Sequence, residues 1–311
     1  MMIAILQALL AAQLALATSS VTTLFALPAN ASWLENLVYR PSAKTVLATR
    51  LDVAQLWSIS TTTGAGTLLA NVPDITALVG ITQTGSSPDE FYVAGLNFTT
   101  AGIQPNSSTL WKLTFPLDGG FVFEPAFGVP GMTLINGLTT WNKTTILATD
   151  SYEGTIWEIN LNTKSSSRAL ADPTMARIDD NGVNGVKVLR SSKEVYVYYT
   201  STDQSLLARI PVDPLMARAL GPADIIAFDI GAVDDFALLP DGSAVIATGS
   251  NNTIVHVSLS GNVETVAGSP ESQEVASGTA CQFGEDGVLY VTTGGSETAG
   301  KVAAADLGWD M

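Results

Sequence analysis

The stretch VNGVKVLRSSKEVYVYYTSTDQSLLARI, residues 183–210, contains three short apolar segments separated by polar turns. The first, Val183-Asn184-Gly185-Val186-Lys187-Val188, opens on a polar residue and a glycine. The second, Glu194-Val195-Tyr196-Val197-Tyr198, and the third, Leu206-Leu207-Ala208-Arg209-Ile210, are rich in β-branched, aromatic and aliphatic residues. Runs of this length and alternation read as consecutive antiparallel strands. The same triplet recurs along the chain. Segments equivalent to the first are Trp33-Leu34-Glu35-Asn36-Leu37-Val38, Leu78-Val79-Gly80-Ile81, Ile135-Asn136-Gly137-Leu138, Val233-Asp234-Asp235-Phe236-Ala237-Leu238 and Gly278-Thr279-Ala280-Cys281-Gln282-Phe283. Anchored on positions 35, 80, 137, 185, 235 and 280, the intervals are 45, 57, 48, 50 and 45 residues. Second segments such as Thr45–Thr49 and Ala244–Thr248 follow, then third segments such as Thr155–Ile159 and Thr253–Val257.

A fourth, outer segment is visible in five units, for example Thr67–Ala70 and Glu264–Ala267. The sixth lacks one, and Val21–Ala26, standing ahead of the first unit, has the pattern to supply it. Four-stranded units at this period define a propeller, and closure removes the exposed sheet edges. The expected fold is therefore an all-β, six-bladed β-propeller whose ring is closed by an N-terminal strand. A β-sandwich would not produce a sixfold recurrence. Trp57, Trp111 and Trp157 fall at one position of the third strand and read as packing within the repeat.

Composition narrows the chemistry. The 311 residues include 14 Lys+Arg against 29 Asp+Glu, a formal net charge of −15, with 46% apolar and 14% charged residues. Disorder requires low hydrophobicity and dense charge. Nucleic-acid binding requires clustered cations, which are missing. One Cys and one His exclude a disulfide framework and multi-histidine or Cys-rich metal centres. His256 lies in an alternating third strand with no Gly-x-Ser-x-Gly elbow, which argues against a Ser-His-Asp hydrolase. Cys281 reads as a small buried apolar residue.

Residues 1–17 are apolar and end in Ala15-Leu16-Ala17, a small-x-small cleavage pattern. The reading is a signal peptide over 1–17 and a single propeller domain over 18–311. A secreted or secretory-pathway protein without a membrane span follows. Five Asn-x-Ser/Thr sequons, at Asn30, Asn97, Asn106, Asn142 and Asn251, agree with this and mark expected glycosylation sites.

Inner strands of a propeller surround a channel, so polar residues at their starts are site candidates: Glu35, Asn136, Asn184, Asp234 and Asp235. Their carboxylate and amide oxygens are hard donors suited to calcium or another divalent cation. The same residue types also cap turns. Loops after the second strands bring further candidates to the same end: Arg50, Asp52, Asn97, Phe98, Asp150, Tyr152, Tyr199, Asp203 and Asn251. Of these, Phe98, Tyr152 and Tyr199 are expected to form an apolar wall.

Glu35-Asn36-Leu37-Val38-Tyr39, Asn184-Gly185, and Asp234 followed by Pro240-Asp241-Gly242 resemble motifs of the senescence-marker/gluconolactonase-like (regucalcin) propellers. The resemblance spans about Leu24 to Leu307. It implies that Glu35, Asn184 and Asp234 are metal ligands and that Asn136 contacts substrate. Leu37 stands where that family has Pro, and Asp235 where it has Gly. Trp33-Leu34-Glu35-Asn36, Asn136–Trp141, Asn184–Val188 and Asp234–Ala237 are similar to a secreted fungal branch of this superfamily. That branch includes hetero-Diels–Alderases of tropolonic sesquiterpene biosynthesis.

Three functions follow as expectations. The first is a hetero-Diels–Alderase of secondary (meroterpenoid) metabolism that needs no cofactor. It joins a tropolone quinone-methide-type diene to a humulene-type alkene. Asn136, Asn184, Tyr152 and Tyr199 would orient the substrates, with Trp33 and Phe98 stacking on them and Asp150 beside them. The second is a lactonase using calcium on Glu35, Asn184 and Asp234, with Asp235 as base. The third is a non-enzymatic ligand-binding propeller. Each implies a small-molecule partner.

Overall fold

The computed structural model describes residues 20–28, 32–85, 87, 89–99, 102–295 and 298–309. The expected signal peptide and the Asn30 sequon lie outside the described residues. Six four-stranded antiparallel sheets follow one another around a ring. The inner strands of blades 1 to 6 are Leu34–Arg40, Ala77–Gln83, Ile135–Asn142, Val183–Arg190, Val233–Leu238 and Gly278–Phe283. The outermost strand of blade 6 is Ser20–Ala26, paired antiparallel to Lys301–Asp306, so the expected N-terminal closure is present. The long second interval is explained by an extra hairpin in blade 2, Phe98–Thr99 with Gly102–Ile103. Two 3₁₀ turns, Pro41–Ala43 and Pro173–Met175, are the helical content of the described residues, and no helix there is long and apolar enough to cross a membrane.

The core is divided in the way the repeat requires. Each of six apolar clusters straddles two neighbouring blades, as where Leu147 and Ile156 of blade 3 meet Val186, Val197 and Tyr199 of blade 4. A sheet with only one neighbour would leave half of this surface wet, so no blade is stable alone. The three repeated tryptophans sit in this packing, each indole Nε1 donating to the residue two positions earlier, Gln55, Thr109 and Thr155.

One irregularity recurs in all six blades and positions the site. Each inner strand bulges near its start, at residues 35–36, 79–80, 136–137, 184–185, 234–235 and around 279. A bulge inserts one extra residue and re-aims side chains. A threonine on the second strand secures it: Thr149 Oγ1 accepts from Gly137 N at 2.8 Å and donates to Asn184 O of the next blade at 2.6 Å. Thr49 does the same between Asn36 N and Val79 O, and Thr200 between Gly185 N and Asp234 O. Backbone groups that the bulge removes from the ladder are thereby satisfied, and adjacent blades are tied at the depth where the candidate residues lie.

Candidate functional site: a channel in two chambers

Four candidates from the bulges of four blades, Glu35, Asn136, Asn184 and Asp234, converge at the strand-start end of the channel, which we call the upper end. Asn136 Nδ2 donates to Asn184 Oδ1 (3.3 Å) and to Ser151 Oγ (3.1 Å), and Asn184 Nδ2 donates to Thr202 Oγ1 (3.0 Å). Trp33 Nε1 donates to Glu35 Oε2 at 2.5 Å. Burial, with a smaller push from Asp235, raises the Glu35 carboxyl to about 7, against the opposing Trp33 hydrogen bond. Burial and the nearby charges of Glu35 and Asp235 hold Asp234 well above the usual carboxylate range, although Asn184 bonds to it.

Directly beneath, the second bulge residues of blades 1 and 5 close the channel. Asn36 Nδ2 donates to Asp235 Oδ2 at 2.9 Å, across the front of blade 6. Asp235 Oδ1 accepts from Lys187 Nζ of blade 4 at 2.5 Å and from Phe236 N at 2.7 Å. The corresponding positions of blades 2, 3 and 4 are glycines because nothing larger fits. A Cβ on Gly185 would lie 2.3 Å from Asp235 Oδ1, and one on Gly80 would lie 2.1 Å from Asn136 O.

Below this plug a chamber of about 510 Å³ opens at the opposite end of the channel, where the inner strands finish. Its walls come from all six inner strands and mix aliphatic side chains, including Val38, Ile81, Leu138, Val188 and Leu238, with polar ones such as Thr82, Thr139, Thr140 and Gln282. Among the described residues, Lys187 and Asp235 are its only charged lining residues, with Cys281 on the wall. Cys281 Sγ donates to Val245 O at 3.1 Å, and burial pushes its thiol up to about 12, which suits an inert wall residue.

Several expectations about the upper end are corrected. Tyr199 is not at the mouth. Its strand runs Val195–Ser201, two residues beyond Tyr199, so the ring is fully buried between blades 3 and 4 with its hydroxyl 2.5 Å from Thr174 Oγ1. Asp150 is fully buried and saturated: its carboxylate accepts from the backbone N–H groups of Thr133, Leu134, Tyr152 and Glu153, so it clamps a loop. Asp235, expected as a base, has both oxygens engaged by three donors. Tyr152 and Phe98 are exposed, Tyr152 under the Arg177 guanidinium at 3.7 Å and Phe98 on the blade-2 hairpin. Arg50 and Asp52 pair with each other at 2.6 Å, and Asp203 caps the backbone of residues 178–181. The Asn106, Asn142 and Asn251 side chains are exposed, and Asn97 is partly buried. His256 lies in its strand against Trp309.

Among the described residues no three His, Cys, Asp or Glu side chains form a ligand set by themselves. A cation at the upper ring would have to draw on the Asn184 amide oxygen besides Glu35 and Asp234. That donor set fits a hard cation: the buried Glu35 and the partly buried Asp234 carboxylates lie together, and Lys187 is paired with Asp235 instead. Two residues that sequence reasoning did not nominate, Asn36 and Lys187, make the plug. Lys187 carried a legible signal, a lone cation at a channel-facing position two residues after Gly185.

No family model matches the chain. In sequence it is 22% identical over 301 residues, 85% of this chain and 84% of the other, to a protein named "Putative hetero-Diels-Alderase" from Phoma sp. In structure it is similar to a gluconolactonase of Xanthomonas campestris (TM-score 0.64, 13% identity, 94% of this chain and 91% of that one). It is also similar to the soluble aldose sugar dehydrogenase of Escherichia coli (TM-score 0.63, 13% identity, 93% and 99%). At these identities the structural likenesses establish the fold. The chain is a six-bladed β-propeller, similar in fold to a gluconolactonase and in sequence to a protein named "Putative hetero-Diels-Alderase".

Proposed function

We propose that the protein is a cyclisation enzyme of hetero-Diels–Alder type, joining a quinone-methide-type heterodiene of tropolonic character to a humulene-type alkene inside the lower chamber. The observation that carries this reading is the chamber itself: about 510 Å³, walled by residues of all six blades, with aliphatic side chains from blades 1 to 5, and bounded at its inner end by the Asn36–Asp235–Lys187 plug. That volume lies within the ~300–1,000 Å³ of ordinary small-molecule sites. A concerted cycloaddition needs no proton relay. It needs two partners confined in a near-attack pose, and confinement alone is worth up to ~7–11 kcal/mol of barrier. The sequence similarity to a protein named for this reaction points the same way. The chamber moves the proposed site from the upper ring to the opposite end, and Asp235 is the one residue of the expected catalytic set that lines it.

The test is direct. The protein is mixed with a heterodiene generated in situ and a humulene-type alkene, and adducts are resolved on a chiral column. Formation of one stereoisomer above the rate in buffer, lost in Thr139→Trp, which fills the chamber, supports the reading. A racemic product at the background rate, or full activity in Thr139→Trp, overturns it.

A second reading is favoured by the two uncompensated carboxylates of the upper ring: a calcium-dependent lactonase. Calcium held by Glu35, Asn184 and Asp234 would supply Lewis-acid polarisation of a lactone carbonyl. Asn136, hydrogen-bonded to Asn184, would orient the ring oxygen side of such a substrate. Hydrolysis of a lactone panel that requires calcium and fails in Asp234→Ala would select this reading over the first.

A further inference from the structure

Lys187 has more donors than the fold uses. An ammonium carries three N–H groups, and Nζ makes one hydrogen bond, to Asp235 Oδ1. It lies 5.1 Å from the Phe236 ring centre and faces the lower chamber, with 25% of its side chain accessible against 5% for Asp235. Asp235 does not depend on it alone, because Asn36 Nδ2 and Phe236 N hold the carboxylate in place. The result is a fixed cationic donor at the inner end of a pocket whose other polar lining is uncharged: Asn36, Thr82, Gln83, Thr139, Thr140 and Gln282.

The charge balance selects what that donor will meet. Lys187 and Asp235 cancel, and among the described residues they are the only charges lining the chamber. A bound carboxylate would leave one net negative charge in a half-closed cavity, a few residues from Glu35 and Asp234. A neutral acceptor adds no charge and takes a charge-assisted hydrogen bond, stronger than a neutral one. A cationic ligand would have to compete with Lys187 for Asp235.

We infer that the lower chamber binds neutral, apolar molecules carrying a carbonyl or quinoid oxygen, and that Lys187 Nζ donates to that oxygen. The inference rests on the placement of the site in the lower chamber made above, but not on the reaction. If the cyclisation reading also holds, this oxygen is the terminal atom of the heterodiene, and Lys187 stabilises the negative charge that develops on it as the two new bonds form.

The test uses 2-acetylnaphthalene, its isostere 2-ethylnaphthalene and the anion 2-naphthoate, with naphthalene fluorescence giving affinities for the folded protein. Lys187→Met is expected to weaken the ketone about tenfold and the hydrocarbon less than twofold, a comparison that isolates the hydrogen bond from packing. Wild-type protein is expected to bind the ketone at least tenfold more tightly than the anion. In infrared difference spectra the bound ketone's C=O stretch shifts to lower frequency, and the shift disappears in Lys187→Met. If that variant does not fold, the pair Lys187→Met with Asp235→Asn restores neutrality and carries the same expectations. Equal loss for ketone and hydrocarbon, an unshifted C=O stretch, or tighter binding of the anion overturns the inference. Ketone binding with these signatures but no adduct formation upholds it while removing the cyclisation reading. Adduct formation with equal loss for both probes does the reverse.

Discussion

Asp235→Ala is expected to destabilise the protein by about 3 kcal/mol, and the structure supplies the reasoning. The carboxylate is almost fully buried and accepts from Asn36 Nδ2, Lys187 Nζ and Phe236 N. Removing one partner of a buried ion pair costs ~3–5 kcal/mol, because the other charge is stranded. Here the stranded group is Lys187, which keeps 25% of its side chain accessible from the chamber, so water recovers part of the loss and the cost falls at the lower end. Asp235→Asn keeps the volume and one acceptor oxygen and gives up the charge, at about 1–2 kcal/mol. Adding Lys187→Met to Asp235→Asn removes both charges and returns most of that. Urea unfolding followed by tryptophan fluorescence reads all three, and on heating the alanine variant should melt roughly 6–12 °C lower. If alanine costs less than about 1 kcal/mol, or alanine and asparagine cost the same, the plug is not the charge-paired element described here.

Three further outcomes are expected. The folded protein keeps on Glu35, at about 7, a proton that the unfolded chain releases near 4.5, so more protons are bound when folded and stability falls as pH rises through that window, then levels off; Asp234 acts in the same sense, and Glu35→Gln should flatten the slope in urea midpoints measured from pH 4.5 to 8, an unchanged slope refuting the assignment. A chain beginning at Leu27 lacks the partner of Lys301–Asp306 and the Phe25–Trp57 contact at 5.5 Å. It should lose at least ~3 kcal/mol and show higher-order species on size-exclusion chromatography, and a monodisperse product of wild-type stability would contradict the closure argument. Tyr199→Phe gives up the bond to Thr174 for about 1 kcal/mol, and 2-acetylnaphthalene affinity should be unchanged; a weakened affinity would return this ring to the site.

The repeat was readable because period-2 alternation and the six recurrences are local properties of the chain. Closure by Val21–Ala26 was readable too, since the sixth unit visibly lacked an outer strand. The convergence of Glu35, Asn136, Asn184 and Asp234 followed from their equivalent positions. The depth at which the channel closes did not follow. It depends on Asn36 meeting Asp235, residues 199 apart in sequence and two blades apart in the ring, and on Gly185 leaving Asp235 room. Alternation says which side chains face the axis but not which reach across it. Tyr199 was misplaced for a related reason: whether a strand stops at residue 198 or 201 decides between core and loop, and strand ends carry weak local signals. Asp150 looked like a site residue because a carboxylate after a strand is equally suited to binding a ligand and to clamping a turn. Four backbone donors in reach decided for the turn.

The closing strand also has a consequence in time. Ala26 pairs with Lys301, so on a ribosome this strand waits for a partner that is synthesised 275 residues later. At ~5–20 residues per second that delay is about 15–55 s. Throughout it, the outer strand of the final blade exposes Leu24 and Phe25 while the five blades behind it assemble in order. The last pairing to form is therefore the one that converts a row of finished sheets into a ring. A chaperone holding this strand would control when that happens.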